Sequence, residues 1–424
     1  MIVHVAIIGN GVTGVTAAIR LRRKQPDWRI TLISGESRFH YSRPALMYVF
    51  MGHMTYNGTK PFEDDFWSVN RLDLRRDWVT RIDASGKCLS LHRGGDFHFD
   101  KLLIATGSKS NKFGWPGQDL KGVQGLYSLQ DLRTLYDNAK HTRHAVIVGG
   151  GLIGIELAEM LHSRNIHVTF LVREPSYWGN ILPMEESGMI NEIIREQGLG
   201  LRLRTSLKAI LDDGNGRAGG VVTEDGETLE CQFVGLTAGV SPNIDLVRDS
   251  DIETGRGILV DHSFQTSVPD VYAAGDCAEI VTGGERNLLQ QVWYTGKKQG
   301  AVAGDVIAGE DRTYDPGIWF NSAKFLDLEY QVYGRVNLNV PGEKNLYWQH
   351  PEQRQSVRIV HTEPDVIGIN LMGIRYRHEV CERWISEQRP VDFVLDHLAD
   401  ANFDPEFFDR HESDIVPALR EQMS

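Results

Sequence analysis

Apolar positions along the first 310 residues alternate between two periods. Brief β-branched or aliphatic runs at 5–8, Arg29–Ile33, 77–82, 87–92 and 100–107 are too short for helices and read as strands. Val12–Lys24 repeats its apolar residues at helical spacing, and a helix is expected after Pro44 and over 130–138. Strand, helix and strand then return in the same order over 145–172. Strand patterns around 212–220 and 224–227 suggest hairpins, and 233–240, 257–260 and 271–274 read as further strands. The stretch 289–309 reads as a helix whose small residues Gly300, Ala301, Ala303 and Gly304 permit close packing. From Trp319 the pattern becomes that of an antiparallel sheet, followed by a helix over 384–400 and an acidic, helix-prone tail. Phe403, Phe407 and Phe408 in that tail are expected to cover core. Boundaries are expected at the Gly- and Pro-rich stretch 113–126 and at Asp315-Pro316-Gly317. The class is α/β.

The glycines give the helical stretches their chemistry. Gly9, Gly11 and Gly14 stand in G-x-G-x-x-G spacing between the first strand and the first helix, with Glu36 after the second strand. The first glycine permits the turn, the second lets a pyrophosphate approach the backbone, and the third lets helix and strand pack closely. Free N–H groups at the helix start face the phosphates. Gly149, Gly151 and Gly154 repeat the arrangement about 140 residues later, so the chain contains two βαβ units with dinucleotide-binding character.

Composition narrows the class of function. The net charge of -12 argues against a dedicated nucleic-acid binder. No apolar run is long enough to span a bilayer, and the glycines at 9–14 interrupt what would be a signal peptide, so a cytoplasmic location is expected. The four cysteines, Cys88, Cys231, Cys277 and Cys381, form no C-x-x-C pair and no iron–sulfur or zinc run. They read as small buried hydrophobes, and no metal site is expected.

Four signatures in order resemble the pyridine-nucleotide–disulfide oxidoreductase superfamily: GNGVTG with Glu36, IATG at 104–107, GGGLIG followed by Glu156, and VYAAGD at 271–276. The likeness is to the branch without a redox disulfide, which holds rubredoxin reductases, ferredoxin reductases of oxygenase systems, apoptosis-inducing factor and the flavin part of nitrite reductase. The resemblance implies two Rossmann-like domains of glutathione-reductase type and an α+β interface domain. Their expected bounds are 1–112 with 242–314 for FAD, 113–241 for NAD(P)H, and 315–424 for the interface domain, in a monomer or homodimer. It implies that Asp276, after Gly275, accepts from the ribityl chain of FAD, that Glu36 binds the adenosine ribose, that Arg43 contacts the FAD and that Val79 meets the adenine through its backbone. Ala105, Thr106, Gly107 and Gly239 are implied cofactor-binding residues as well. In the second unit Glu156 is the implied acid at the flavin–nicotinamide junction; the bland reading is a solvated helix residue.

The resemblance implies hydride transfer from NAD(P)H to flavin. Where disulfide reductases carry a cysteine, near residue 42, this chain reads HYSRPAL, so electrons are expected to leave to a small carrier protein of rubredoxin or ferredoxin type. An NAD(P)H oxidase or quinone reductase is one alternative, and a redox-dependent interaction module another. Two departures stand out. Tyr48 replaces a lysine that pairs with the flavin in oxygenase ferredoxin reductases. Val172 replaces the acid that binds an NADH ribose, and Arg173 follows, a slight lean to NADPH that Glu174 and Gly179 weaken. Lys324, Arg335, Arg358, Arg375, Arg377, His378 and Arg383 form a candidate docking face for an acidic carrier, the alternative being scattered surface charges.

Overall fold

A computed structural model describes residues 2–284, 286–404, 406 and 409–423. The chain divides into two compact units. The first comprises Met1–Gly114, Val123–Thr142 and Leu236–Asp315, and the second Trp115–Gly122, Arg143–Gly235 and Pro316–Ser424.

The first unit is built on five parallel strands in the order Val271–Ala273, Lys101–Ile104, His4–Ile8, Arg29–Ile33, Leu72–Arg75. All the apolar residues of the central strand are buried, as expected of a sheet covered on both faces. The opening helix, Val12–Lys24, packs along the helix Trp293–Ile307. A Cβ on Gly300 would lie 2.4 Å from the Thr13 carbonyl oxygen, and one on Gly304 2.8 Å from that of Ala17. The small residues thus allow backbone-to-backbone approach. Asp305, fully buried, ties the pair together by accepting from Arg20 at 2.6 and 2.9 Å. The later helix starts at Trp293 rather than at 289, because Val292 is extended.

Residues 123–142 fold with this unit rather than with the second, to which the expected bounds assign them. Their helix, Leu129–Ala139, is held by side chains of the first unit: the Leu129 N–H donates to Glu36 at 2.9 Å. Ser128 and Asp131 close a capping box at its start.

In the second unit the strands Gly200–Leu203, His167–Val172, His144–Val148 and Phe233–Leu236 neighbour one another in that order. The helix Met184–Glu196, with Pro183 as its N-cap and Gly188 inside it, has no counterpart in the sequence reading. It carries Glu186, which is fully buried and accepts from Arg358 at 2.7 Å and from Asn370 at 3.2 Å. Arg358 is therefore part of the packing between this helix and the C-terminal sheet, not of a docking face. Arg375 likewise donates to Glu329 at 2.5 Å.

The C-terminal sheet is antiparallel, in the order Phe320–Phe325, Leu328–Gly334, Asp365–Met372, Ser356–Thr362, Lys344–Gln349. The helix expected over 384–400 is two, His378–Ser386 and Val391–Asp396. Gln388 at φ +52° and Pro390 at the next N-cap separate them. The tail helix is Glu412–Glu421. Phe403 is 43% exposed, with the Arg375 guanidinium 5.8 Å from its ring centre; Phe407 and Phe408 lie outside the described residues.

Candidate functional site

The first cradle forms where the strands His4–Ile8 and Arg29–Ile33 end side by side. Gly9 turns away at φ +108°, its N–H donating to Ile33 at 2.8 Å. A Cβ there would lie 2.2 Å from the Ala105 carbonyl oxygen, and one on Gly14 2.1 Å from that of Gly9. These two glycines are demanded by protein packing. Gly11 is different: a Cβ there would meet nothing within 4 Å, so its exposed face is open to a ligand. Gly11 is also the N-cap of the opening helix, with no side-chain cap and no acid in the first turn. The first N–H groups of the helix are left for an anion.

Gly275, at φ +82°, closes on the same helix start; a Cβ on it would lie 2.5 Å from the Thr13 hydroxyl. This brings Asp276 to the cradle. Its Oδ2 accepts from Ser108 Oγ at 3.0 Å and from the Tyr127 hydroxyl at 3.3 Å, and burial raises its pKa. Thr106 donates to the Asn243 carbonyl at 2.7 Å, while Gly107 accepts from the Asn243 N–H at 2.8 Å. Gly239, at φ +87°, accepts from the Asn111 N–H at 3.2 Å. Val79 opens the strand Val79–Asp83 of a small antiparallel sheet.

Glu36 and Arg43 face each other in a two-pronged ion pair at 2.9 and 3.0 Å. Glu36 also accepts from the Tyr41 hydroxyl and from the Leu129 N–H. Burial works to raise the Glu36 pKa, but Arg43 outweighs it and holds the carboxylate below its ordinary value. The Arg43 guanidinium also donates to the Tyr127 carbonyl oxygen and lies 4.4 Å from the centre of the Tyr127 ring. Both residues are thus occupied by the protein's own groups. Tyr41, Ser108 and Tyr127 are the members of this site that sequence reading missed. The S-x-x-D capping box after Tyr127 was the one available signal that this segment is fixed in place.

The second cradle repeats the first. Gly149 turns at φ +121° with its N–H donating to Leu171 at 3.0 Å. Gly151 caps the helix Leu152–His162 without a side-chain partner, and a Cβ on it would meet nothing within 4 Å. The Gly154 N–H reaches back to the Gly151 carbonyl at 3.0 Å. Buried Tyr177 donates to that same carbonyl at 2.8 Å, another contact without a sequence signal. Glu156 sits one turn into the helix, where burial and then the charge of Glu159 push its carboxyl up to about 7. It is a half-buried acid rather than a solvated helix residue. At the end of the second strand the Arg173 side chain is 81% exposed and donates to Glu174 at 3.0 Å.

Cys231, Cys277 and Cys381 are buried and Cys88 half-buried, all four as free thiols. Burial raises the Cys277 thiol pKa and pushes that of Cys231 up to about 12, which keeps both protonated and unreactive. Among the described residues no cluster of His, Cys, Asp or Glu is arranged for a metal ion, and no helix is long and apolar enough to cross a membrane.

The chain is similar to known proteins. The chain is 31% identical over 311 residues to the ferredoxin–NAD(+) reductase subunit of the benzene 1,2-dioxygenase system of Pseudomonas putida, covering 73% of this chain and 75% of that protein. It is 31% identical over 340 residues to the NADH-rubredoxin oxidoreductase of Clostridium acetobutylicum, covering 80% and 83%. Among solved structures, a ferredoxin reductase from Rhodopseudomonas palustris has the same fold, with a TM-score of 0.80 at 24% identity over 98% of this chain and 99% of that one. The family model for pyridine nucleotide-disulphide oxidoreductases matches residues 3–300, and the chain belongs to that family.

Proposed function

We propose that the chain is an FAD-dependent NADH oxidoreductase that hands electrons to a small carrier protein of ferredoxin or rubredoxin type and works in the cytoplasm. The observation that carries the reading is the pair of open glycine cradles, Gly11 and Gly151, each at an uncapped helix start. The first suits the pyrophosphate of FAD, and Asp276 would accept from the ribityl hydroxyls once its own donors, Ser108 and Tyr127, make room. The second suits the nicotinamide nucleotide. Both fit a dinucleotide by the same criterion: the second glycine has open space where any side chain would stand in the ligand's way.

Bound FAD would supply the hydride acceptance and the stepwise electron release that no side chain can provide. The chain's own residues bind and align. The first-turn N–H groups of both glycine-cradle helices would hold the diphosphates. Glu156, near its titration midpoint at neutral pH, would hydrogen-bond the nicotinamide carboxamide and fix the ring's orientation. Arg173 would favour a 2′-phosphate by itself. Its pairing with Glu174 puts negative charge beside it, which supports NADH over NADPH.

Four unpaired cysteines, three of them buried, support a route without a dithiol, and the relatives' names support a carrier protein over oxygen, a quinone or a purely binding role. The test is direct. The purified protein should be yellow, and NADH should bleach it anaerobically. Cytochrome c reduction should depend on added ferredoxin or rubredoxin. A protein without flavin after native purification overturns the reading.

A further inference from the structure

The strand Arg29–Ile33 ends without an acid at the place where a dinucleotide fold usually presents one to the ribose. Ser34 donates to the Arg75 carbonyl at 3.0 Å, and Gly35 follows. A Cβ on Gly35 would lie 2.0 Å from Cδ2 and 2.3 Å from Cε2 of Trp78. Any side chain at position 35 would therefore displace the indole, which rests against the bare glycine backbone. Glu36, one residue later, is turned toward Arg43, Tyr41 and the Leu129 N–H.

Trp78 is held on both sides of its Cα. Its N–H donates to buried Asp77 at 2.9 Å, and its carbonyl accepts from the His92 N–H at 2.9 Å. Asp77 is itself pinned by the Arg93 N–H at 3.2 Å. Yet the tryptophan remains 55% exposed. A large aromatic ring with a fixed backbone, one side on glycine and the rest open to solvent, is an unused stacking surface. It lies next to the carboxyl end of the strand whose last residue, Ile33, accepts from Gly9 of the first cradle.

We propose that Trp78, seated on Gly35, is the platform for the adenine of FAD, with stacking taking over from the hydrogen bond between a carboxylate and the ribose. The inference rests on the reading of the opening unit as the FAD site. Stacking reads the π face of the base and not the sugar hydroxyls, so Trp78 is a binding residue and not one that touches the reacting atoms.

The test compares Trp78→Ala and Trp78→Phe with the unaltered protein. Flavin-loaded protein is diluted, and released flavin fluorescence gives the dissociation constant. Trp78→Ala should weaken FAD binding about tenfold or more, and Trp78→Phe should stay within about threefold of the original. The melting temperature of flavin-free protein should be the same in all three. Trp78→Ala binding FAD within about twofold of the unaltered protein overturns the proposal. So does an equal loss in Trp78→Phe, or a fall in melting temperature that accounts for the flavin loss. If the unaltered protein itself carries no FAD, the parent reading fails, a result distinct from all of these.

Discussion

The two βαβ units are near copies up to their second strands and part company beyond them. Each has a left-handed first glycine, an open second glycine and an uncapped helix start. Past the second strand, the first unit has Gly35 under an indole and Glu36 locked to Arg43, whereas the second has Val172 and an exposed Arg173 paired with Glu174. Two positions after the third glycine stand Thr16 in the first and Glu156 in the second. The glycine half of each unit, which the proposed function gives to the phosphates, is therefore common machinery. Identity of the nucleotide, and what is done with it, rest with residues beyond the glycines.

The largest expected effects come from the open glycines. Gly11→Val should abolish FAD retention, read from the flavin-to-protein absorbance ratio. Gly151→Val should leave flavin content unchanged and abolish anaerobic bleaching by NADH. Loss of flavin in both, or in neither, would break the division of labour between the units. Next is Gly14→Ala, whose Cβ would fall 2.1 Å from the Gly9 carbonyl oxygen. The backbone must shift, and denaturant unfolding should register a loss of about 1–3 kcal/mol.

A smaller effect is expected at the second unit's distal end. Glu174→Ala releases Arg173 and should raise kcat/KM for NADPH relative to NADH by about fivefold, the scale of one exposed ion pair. An unchanged ratio would remove this pair from coenzyme selection.

The subtlest prediction concerns Glu156. Its carboxyl ionises near 4.5 in an unfolded chain and at about 7 in the folded one. Between those values the folded state holds the extra proton, so wild-type stability falls as pH rises through the window. Glu156→Gln has no such dependence. Its melting temperature relative to wild type should climb from pH 4.5 to 7 and level off above. A flat difference would mean that Glu156 titrates as an ordinary solvated carboxylate.

Much of this was legible in the sequence because glycine spacing and short apolar runs are local signals. The opening helix, Val12–Lys24, and the strand Arg29–Ile33 fall where periodicity predicts them. The small-residue stripe at Gly300 and Gly304 does face a neighbouring helix. What escaped was settled by tertiary contact. The helix Met184–Glu196 buries an acid because Arg358, 172 residues later, neutralises it. Tyr127 looks like a linker residue until Asp276 and Arg43 meet it. The indole of Trp78 is an ordinary strand aromatic in sequence, and only the missing Cβ of Gly35 gives it a seat.

The contact between the helices Val12–Lys24 and Trp293–Ile307 has a consequence for biosynthesis. Domains form as they leave the ribosome, N-terminal parts first. Here the opening helix emerges almost 300 residues before the helix that covers it, and the entire second βαβ unit is translated in between. The nascent chain must carry that helix without its later partner for most of its synthesis. A ribosome that stops between Gly154 and Trp293 releases a chain with both glycine turns encoded and its opening helix without its later partner, a natural client for a chaperone.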